Sequence, residues 1–351
     1  MKHFDYIILG QGLAGSLLAW SLIQKGKSVL VLDDSAAQGA SRVAAGMFNP
    51  VVFKRLNFSW NAHSFLPIAK KLYTELEASL DGKWWNEMPL ARFFGDQFTA
   101  DQFEKELAIP PLGDYLSTDR DDALDQIRSS FGYGVVKYAG FLDINKMLTA
   151  IREFLIAQSA YVDAKTVEAD FTFEKEGVVY KDIQASALIC CHGYGIKKWR
   201  SWKYVPVVGA KGEILHLKGR GHTENFLLNN SKYLLPIGNG EFLAGSTYEW
   251  RDLSLSPTES AKNEILSKLK NLLTEDLEVV DQKVGIRPTS KDRRPIIGEH
   301  PRNSKMKIFN GLGTRGVIVA PAMVEWFCDH LINGAKLPDE VNVSRFNKYF
   351  Q

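Results

Sequence analysis

"FDYIILGQGLAGSLLAWSLIQKGKSVLVLDD", residues Phe4–Asp34, is the stretch from which the fold is read. Phe4–Leu9 is apolar or aromatic with one acidic break, the pattern of a strand buried on both faces. Gly10, Gly12 and Gly15 then fall in the spacing Gly-x-Gly-x-x-Gly, and the apolar run from about Leu13 to Lys25 predicts a helix that Gly26 ends. Ser28–Asp34 reads as a second strand. The whole is a βαβ unit, with Asp33 eighteen residues beyond Gly15 at the end of the second strand. These features together describe a dinucleotide site: a tight turn, a close approach of backbone to pyrophosphate, helix packing on strand, and a carboxylate for a ribose hydroxyl. An accidental glycine turn would need none of the flanking elements.

Outward from this unit, "SAAQGASRVAAGMFNP" (Ser35–Pro50) is a loop of small residues where backbone can approach a ligand. Apolar spacing predicts a helix from Ser59 to about Leu80, interrupted near Pro67, and a second amphipathic helix from Asp143 to Ala157 that Asp143 caps. "YVDAKTVEADF", "GVVY" and "ASALICCHG" (within 161–193) read as strands returning to the parallel sheet. After Gly195 the pattern changes to strands with short turns: "GEILHL", "FLLNN", "KYLLPIGNGEFLAGST" with a hairpin at Asn239-Gly240, and "LEVVDQKVGIRP". A helix from about Thr258 to Leu273 is expected across them. The fold class is thus α/β combined with α+β, a Rossmann-type domain with a parallel sheet interleaved with a mostly antiparallel substrate domain. Residues 1–58, 140–200 and 282–351 are assigned to the first and residues 59–139 and 201–281 to the second.

The chain has 351 residues, 45% hydrophobic, and a net charge of +2, so it can bury one large core or two moderate ones. Its balanced charge neither announces nor excludes nucleic acid. Three cysteines, without Cys-x-x-Cys or Cys/His spacing, make neither a disulfide framework nor a metal site, and a reducing cytoplasm is expected. The basic, apolar N-terminus resembles a signal peptide, but its glycines belong to the fingerprint and no small-residue cleavage pattern follows. The apolar segment Gly316–Ile332 is broken by Pro321, Glu325 and Asp329. No membrane anchor is expected.

"FNGLGTRGVIVAPAM" (Phe309–Met323) repeats the device of strand, glycine loop and helix, which aims N–H groups at something electron-rich. Cys190, Cys191 and His192 invite a redox reading, but a buried strand ending in a glycine turn explains them more simply. Arg287 ends an apolar strand before Pro288, where a planar guanidinium is placed to fork a carboxylate; a surface arginine is the alternative. Arg315 carries the same two readings.

These residues resemble the FAD-dependent amine oxidoreductases of the D-amino-acid-oxidase superfamily, particularly glycine oxidase and sarcosine oxidase-like members. The likeness runs nearly end to end, through "ILGQGLAGSLLAWSL", "ASRVAAGMFNP", "LICCHGYG", "YLLPIGNGEFLAGST", "GIRPTSKDRRPIIG" and "FNGLGTRGVIVAPA". It implies noncovalent FAD, since the last glycine loop lacks the cysteine that tethers flavin in some relatives. It implies cofactor contacts at Gly10, Gly12, Leu13, Ala14, Gly15, Asp33 and Asp34. It extends them to Ser41, Arg42, Ala45, Gly46, Met47, Val167, His192 and Gly193. At the flavin ring they would be Gly311, Gly313, Thr314, Arg315, Gly316 and Val317.

By the same resemblance Arg287 clamps a substrate carboxylate, with Arg315 and Tyr248 beside it, and a hydride passes from the amine carbon to flavin N5, leaving an imine that water hydrolyses. Tyr248 and Tyr233 would close the pocket or serve as core tyrosines; Lys291 would assist dioxygen or lie at the surface. The partners implied are a small amino-acid-like substrate and dioxygen or another electron acceptor. "GLGTRG" and Asn49-Pro50 are also similar to the FAD domain of the bifunctional tRNA wobble-uridine modification enzyme, which makes a tRNA-borne carboxymethylamine the second, less favoured substrate. An electron carrier without turnover would be expected to lack Arg287, and an NAD-dependent dehydrogenase would leave the second glycine loop idle.

Overall fold

The computed structural model describes residues 1–350 except 120, 126, 128, 220–223 and 271–276. An eight-stranded mixed sheet forms one half. Lys2–Leu9 lies at its centre, pairing in parallel with Val29–Asp33 on one side and Ile183–Cys190 on the other, and Tyr161–Asp163 and Asn303–Asn310 extend the parallel set. The helix Leu13–Gln24 is buried nearly all round, from Leu13 to Leu22. Its apolar positions are not confined to one stripe because it is wedged between the sheet, the helix Ile144–Ala157 and the last helix, Gly316–Asn333.

Three expectations are corrected here. Thr172–Phe173 and Val178–Tyr180 form an antiparallel hairpin on the flank of Ile183–Cys190, because links as short as these cannot make the crossover that parallel strands require. Pro67 does not interrupt its helix, which runs unbroken over Ala62–Leu80. Pro67 and His63 are both exposed, so the carbonyl that loses its partner faces water. The helix is also entered later than expected, with Asn61 as its cap and the Ser59 carbonyl accepting from Ala62 N at 2.9 Å. Asp143 caps Ile144–Ala157, accepting from Lys146 N at 3.1 Å.

The second eight-stranded sheet runs in the order Glu278–Ser290, Val207–Lys218, Glu241–Gly245, Lys232–Gly238, Leu227–Asn230, Leu90–Phe93, Tyr133–Val136 and Leu116–Ser117. All its pairs are antiparallel except Leu227–Asn230 with Leu90–Phe93. Asn239 and Gly240 both take positive φ, +56° and +69°, the backbone of a tight hairpin turn. The helix Glu259–Leu269 lays Ala261, Ile265 and Leu269 inward; the expected end at Leu273 lies outside the described residues. Glu278–Ser290 belongs wholly to this sheet and crosses the expected domain limit at 282, so we propose that the limit lies after Ser290.

A smaller three-stranded sheet joins Met47–Phe48, Gly140–Leu142 and Trp85–Glu87. Here the Trp85 ring stacks on Phe48 at 3.9 Å between centroids and on Tyr73 at 5.4 Å. The stack fastens the loop around Met47 to the helix Ala62–Leu80. Trp85 is only 5% exposed, so Trp85→Ala should lose about 3–5 kcal/mol of stability. Urea unfolding of the two proteins checks this, and an unchanged midpoint would count the stack as dispensable.

Candidate active site

Strands that run in parallel end on the same edge of their sheet, and loops leaving that edge enclose a cavity of about 1370 Å³. One end of it is the first glycine turn. Gly10 has φ +97°, and a Cβ on Gly15 would stand 1.9 Å from the Gly10 carbonyl; only glycine lets turn and helix close this tightly. The Asp33 carboxylate accepts from Gln11 N at 2.9 Å and from Arg152 Nη2 at 3.0 Å. Gln11 is buried, donating to Ser16 Oγ at 3.0 Å and the Leu148 carbonyl at 2.8 Å, while its Oε1 accepts from Arg152 Nε and Arg42 Nη2 at 3.0 and 3.1 Å. Asp33 therefore braces the turn as well as lining the cavity. The Leu13 N–H bonds Ser41 Oγ at 3.1 Å, and the helix start has no side-chain cap, which leaves its next N–H groups free for an anion.

The opposite end is the second glycine loop. Asn310 donates to the Gly193 carbonyl and accepts from Gly311 N, both at 2.8 Å, so the turn after Cys191 and the turn after Asn310 are tied together. The Gly313 N–H reaches the Pro288 carbonyl at 3.0 Å, linking this loop to the strand that carries Arg287. The helix Gly316–Asn333 opens at Arg315 without a side-chain cap, and Gly316, Val317 and Ile318 face the cavity.

Of the expected cofactor contacts, Gly10, Gly12, Leu13, Ala14, Asp33, Asp34 and Ser41 line the cavity. So do Ala45, Gly46, Met47, Val167, His192, Gly193, Gly313, Thr314, Arg315, Gly316 and Val317. Three do not, and each has a physical reason. Gly15 lies beneath the turn, Arg42 is turned back onto Gln11, and Gly311 is packed behind the loop, where a Cβ would stand 3.1 Å from the Ile296 side chain. Burial pushes the His192 imidazole down to about 4, and neither ring nitrogen, both shielded from solvent, has a protein partner, so the ring is neutral. Cys190 is fully buried, its thiol pushed up to about 12 by burial while Trp202 Nε1 donates to Sγ at 3.3 Å. That fits a packing residue better than a redox one.

The side of the cavity that holds Arg287 is built on the second sheet. Arg287 donates from Nη2 to Ser246 Oγ at 2.7 Å and from Nη1 to the Thr247 carbonyl at 3.2 Å, and its guanidinium lies 4.6 Å from the Tyr248 ring centroid. Gly212 supplies the floor: a Cβ there would stand 2.1 Å from Nη2. Among the described residues no carboxylate pairs with Arg287. Tyr233 lines the cavity with its phenol pushed up by burial. Tyr248 also lines it, half exposed, stacked on the exposed Trp250 at 5.9 Å. Arg315 is lowered by desolvation, an effect that its neighbours Arg293 and Arg294 increase. Lys291 is exposed and outside the cavity lining.

Sequence reasoning missed Gln11, Arg152 and Gly212. Gln11 occupies a position where the fingerprint accepts any residue, Arg152 reaches Asp33 from a helix far along the chain, and Gly212 matters only because Arg287 crosses over it.

The sequence profile of the family described as FAD dependent oxidoreductase (DAO) matches residues 5–330. A glycine oxidase of Bacillus licheniformis is 24% identical, over 94% of each chain. The bifunctional tRNA 5-methylaminomethyl-2-thiouridine biosynthesis protein of Marinobacter nauticus is 21% identical over 93% of this chain, which spans only 55% of that longer protein. Among solved structures, glycine oxidase from Geobacillus kaustophilus superposes with a TM-score of 0.79 at 18% identity, covering 99% of this chain and 98% of that one.

Two substitutions test the ends of the cavity separately. Asp33→Ala removes a charged acceptor that contributes about 1.5–3 kcal/mol in all, and should weaken FAD retention by about one to two decades; FAD released on dilution measures it. Gly212→Ala should leave the fold intact, because the atoms nearest its Cβ are the end of the Arg287 side chain, but it should displace the guanidinium and weaken binding of a simple carboxylate by about tenfold. Equal carboxylate affinity in Gly212→Ala and wild type would remove Gly212 from the site.

Proposed function

The chain belongs to the FAD-dependent oxidoreductase family, and on that premise we propose that its substrate is a small primary or secondary amine next to a carboxylate, of the glycine, sarcosine or D-amino-acid type. It is an enzyme acting on CH–NH bonds with noncovalent FAD. The residues present suit that cofactor. Two uncapped helix starts face one cavity, Asp33 stands at its nucleotide end, and the orphaned His192 imidazole lies between. The first turn, from Gly10 to Ala14, would hold the pyrophosphate. The segments Ala45–Met47 and Gly313–Val317 would hold the ring system. When bound, FAD supplies the two-electron acceptance; the protein supplies orientation and charge.

The observation that carries the reading is Arg287, a guanidinium set over a glycine and unpaired with any carboxylate among the described residues. Its remaining N–H groups would fork the substrate carboxylate, holding the amine carbon in one orientation, while Tyr248 shields the pair from water. The start of Gly316–Asn333 favours negative charge developing at its end of the cavity. The amine would enter unprotonated, which requires no general base, and electrons would leave to dioxygen or another acceptor. The name of the Bacillus relative agrees with this substrate class. Buried, unpaired cysteines suit a reducing compartment, and we place the protein in the cytoplasm. No helix among the described residues is long and apolar enough to cross a membrane.

A second reading, oxidative removal of a carboxymethyl group from a modified wobble uridine in tRNA, is favoured by one feature. The exposed Tyr248–Trp250 stack stands near Arg315, which in turn neighbours Arg293 and Arg294, an aromatic and basic rim of the kind on which bases stack. Mixing without oxygen separates the two. We expect glycine, sarcosine or a close relative to bleach the flavin, whereas bleaching only by modified tRNA, in a salt-sensitive way, would select the alternative. Arg287→Met should cost about 2–5 kcal/mol in kcat/KM with the flavin spectrum intact. Loss of flavin with normal turnover of the remainder would make Arg287 structural.

A further inference from the structure

We propose, building on the amine–carboxylate reading above, that Lys211 is a positioning residue for the substrate pocket. Its ammonium holds the segment Ser246–Thr258 in place, so that Tyr248, Leu253 and Leu255 wall the space over Arg287.

The strand Val207–Lys218 divides its side chains by parity. Gly212 and Ile214 face the cavity, so Lys211 and Glu213 point to the other face, where their side chains are 1% and 3% exposed. A lysine buried this deeply is tolerated only with its charge satisfied. The ammonium finds Asp252 Oδ2 at 2.8 Å, the Ser256 carbonyl at 2.8 Å and Ser254 Oγ at 3.4 Å, with Glu213 Oε1 at 3.7 Å. Three of these partners are alternate residues of one segment. A single buried cation thus gathers residues 252–256 around itself.

The ends of the segment are fixed by other means. At its start, Ser246 and Thr247 accept from Arg287, and Lys211 and Glu249 exchange backbone hydrogen bonds of 2.8 and 3.0 Å. At its end, the Glu213 carboxylate accepts from Thr258 N at 2.9 Å, Thr258 Oγ1 at 2.8 Å and Gln282 Nε2 at 2.7 Å. Between these points the chain buries little: Trp250, Arg251, Asp252, Ser254, Leu255 and Ser256 are all exposed. Without an apolar anchor its order depends on the polar contacts with Lys211. Leu253 and Leu255 nevertheless line the cavity, so the pocket wall depends on an ion pair on the opposite face of the strand.

The test uses FAD-loaded wild type, Lys211→Met and Asp252→Asn. The second variant changes an exposed side chain and spares the fold if the first does not. Methoxyacetate, which is sarcosine with its amine nitrogen replaced by oxygen, is titrated against the visible flavin spectrum, and trypsin cleavage after Arg251 reports the order of the segment. We expect methoxyacetate to bind about tenfold more weakly in both variants, cleavage to accelerate, and FAD content to match wild type. A general loss of structure would lower FAD content as well. Unchanged methoxyacetate affinity in the variants overturns this role of Lys211 and leaves the substrate reading standing. A wild type that holds FAD yet does not respond to methoxyacetate overturns the substrate reading, and this inference with it.

Discussion

Four of the five strands that run the same way through one sheet fix where everything else in this molecule is. Leu9 lies opposite Leu32 on one side and Cys190 on the other, and Cys190 lies opposite Ile308. Each strand then ends in a functional element: the first glycine turn, Asp33, the turn at Gly193, and Asn310 with the second glycine loop. No long-range contact has to assemble these parts individually. The register of the hydrogen-bonded ladder does so, and it is held by strands whose side chains are buried on both faces and cannot slip without moving apolar residues into water.

The two halves of the cavity are built on different physics. The end at the first glycine turn is dense and internally satisfied, with Asp33, Gln11, Arg152, Arg42 and Ser16 linked in one hydrogen-bonded network. The proposed substrate end holds groups with spare hydrogen-bonding capacity, of which the Arg287 guanidinium is the clearest. The strand Glu278–Ser290 ties the Arg287 side to the second glycine loop, because it carries Arg287 within the second sheet and then offers the Pro288 carbonyl to Gly313. A shift in the second glycine loop is therefore felt one residue along the chain from the proposed carboxylate clamp. Such coupling keeps a substrate and a ring system in one frame, which is what transfer between them requires.

What the sequence alone determined is the part governed by local and periodic rules. The βαβ unit, its fingerprint glycines, the cap at Asp143 and the hairpin at Asn239-Gly240 were all legible, because each depends on neighbours within a few positions. So was the family, through motifs spread along the chain. The tertiary structure alone decided which side chains meet across distance: that Arg152 reaches Asp33, that Arg42 turns away from the cavity, that Gly212 floors Arg287, and that the strands near residues 172–180 turn back as a hairpin. Lys211 shows the reason most plainly. In the sequence it is one lysine among many, with nothing around it to mark it as buried; only when Val207–Lys218 pairs on both sides and Ser246–Thr258 folds over it does its charge lose access to water, and only then must partners be found for it.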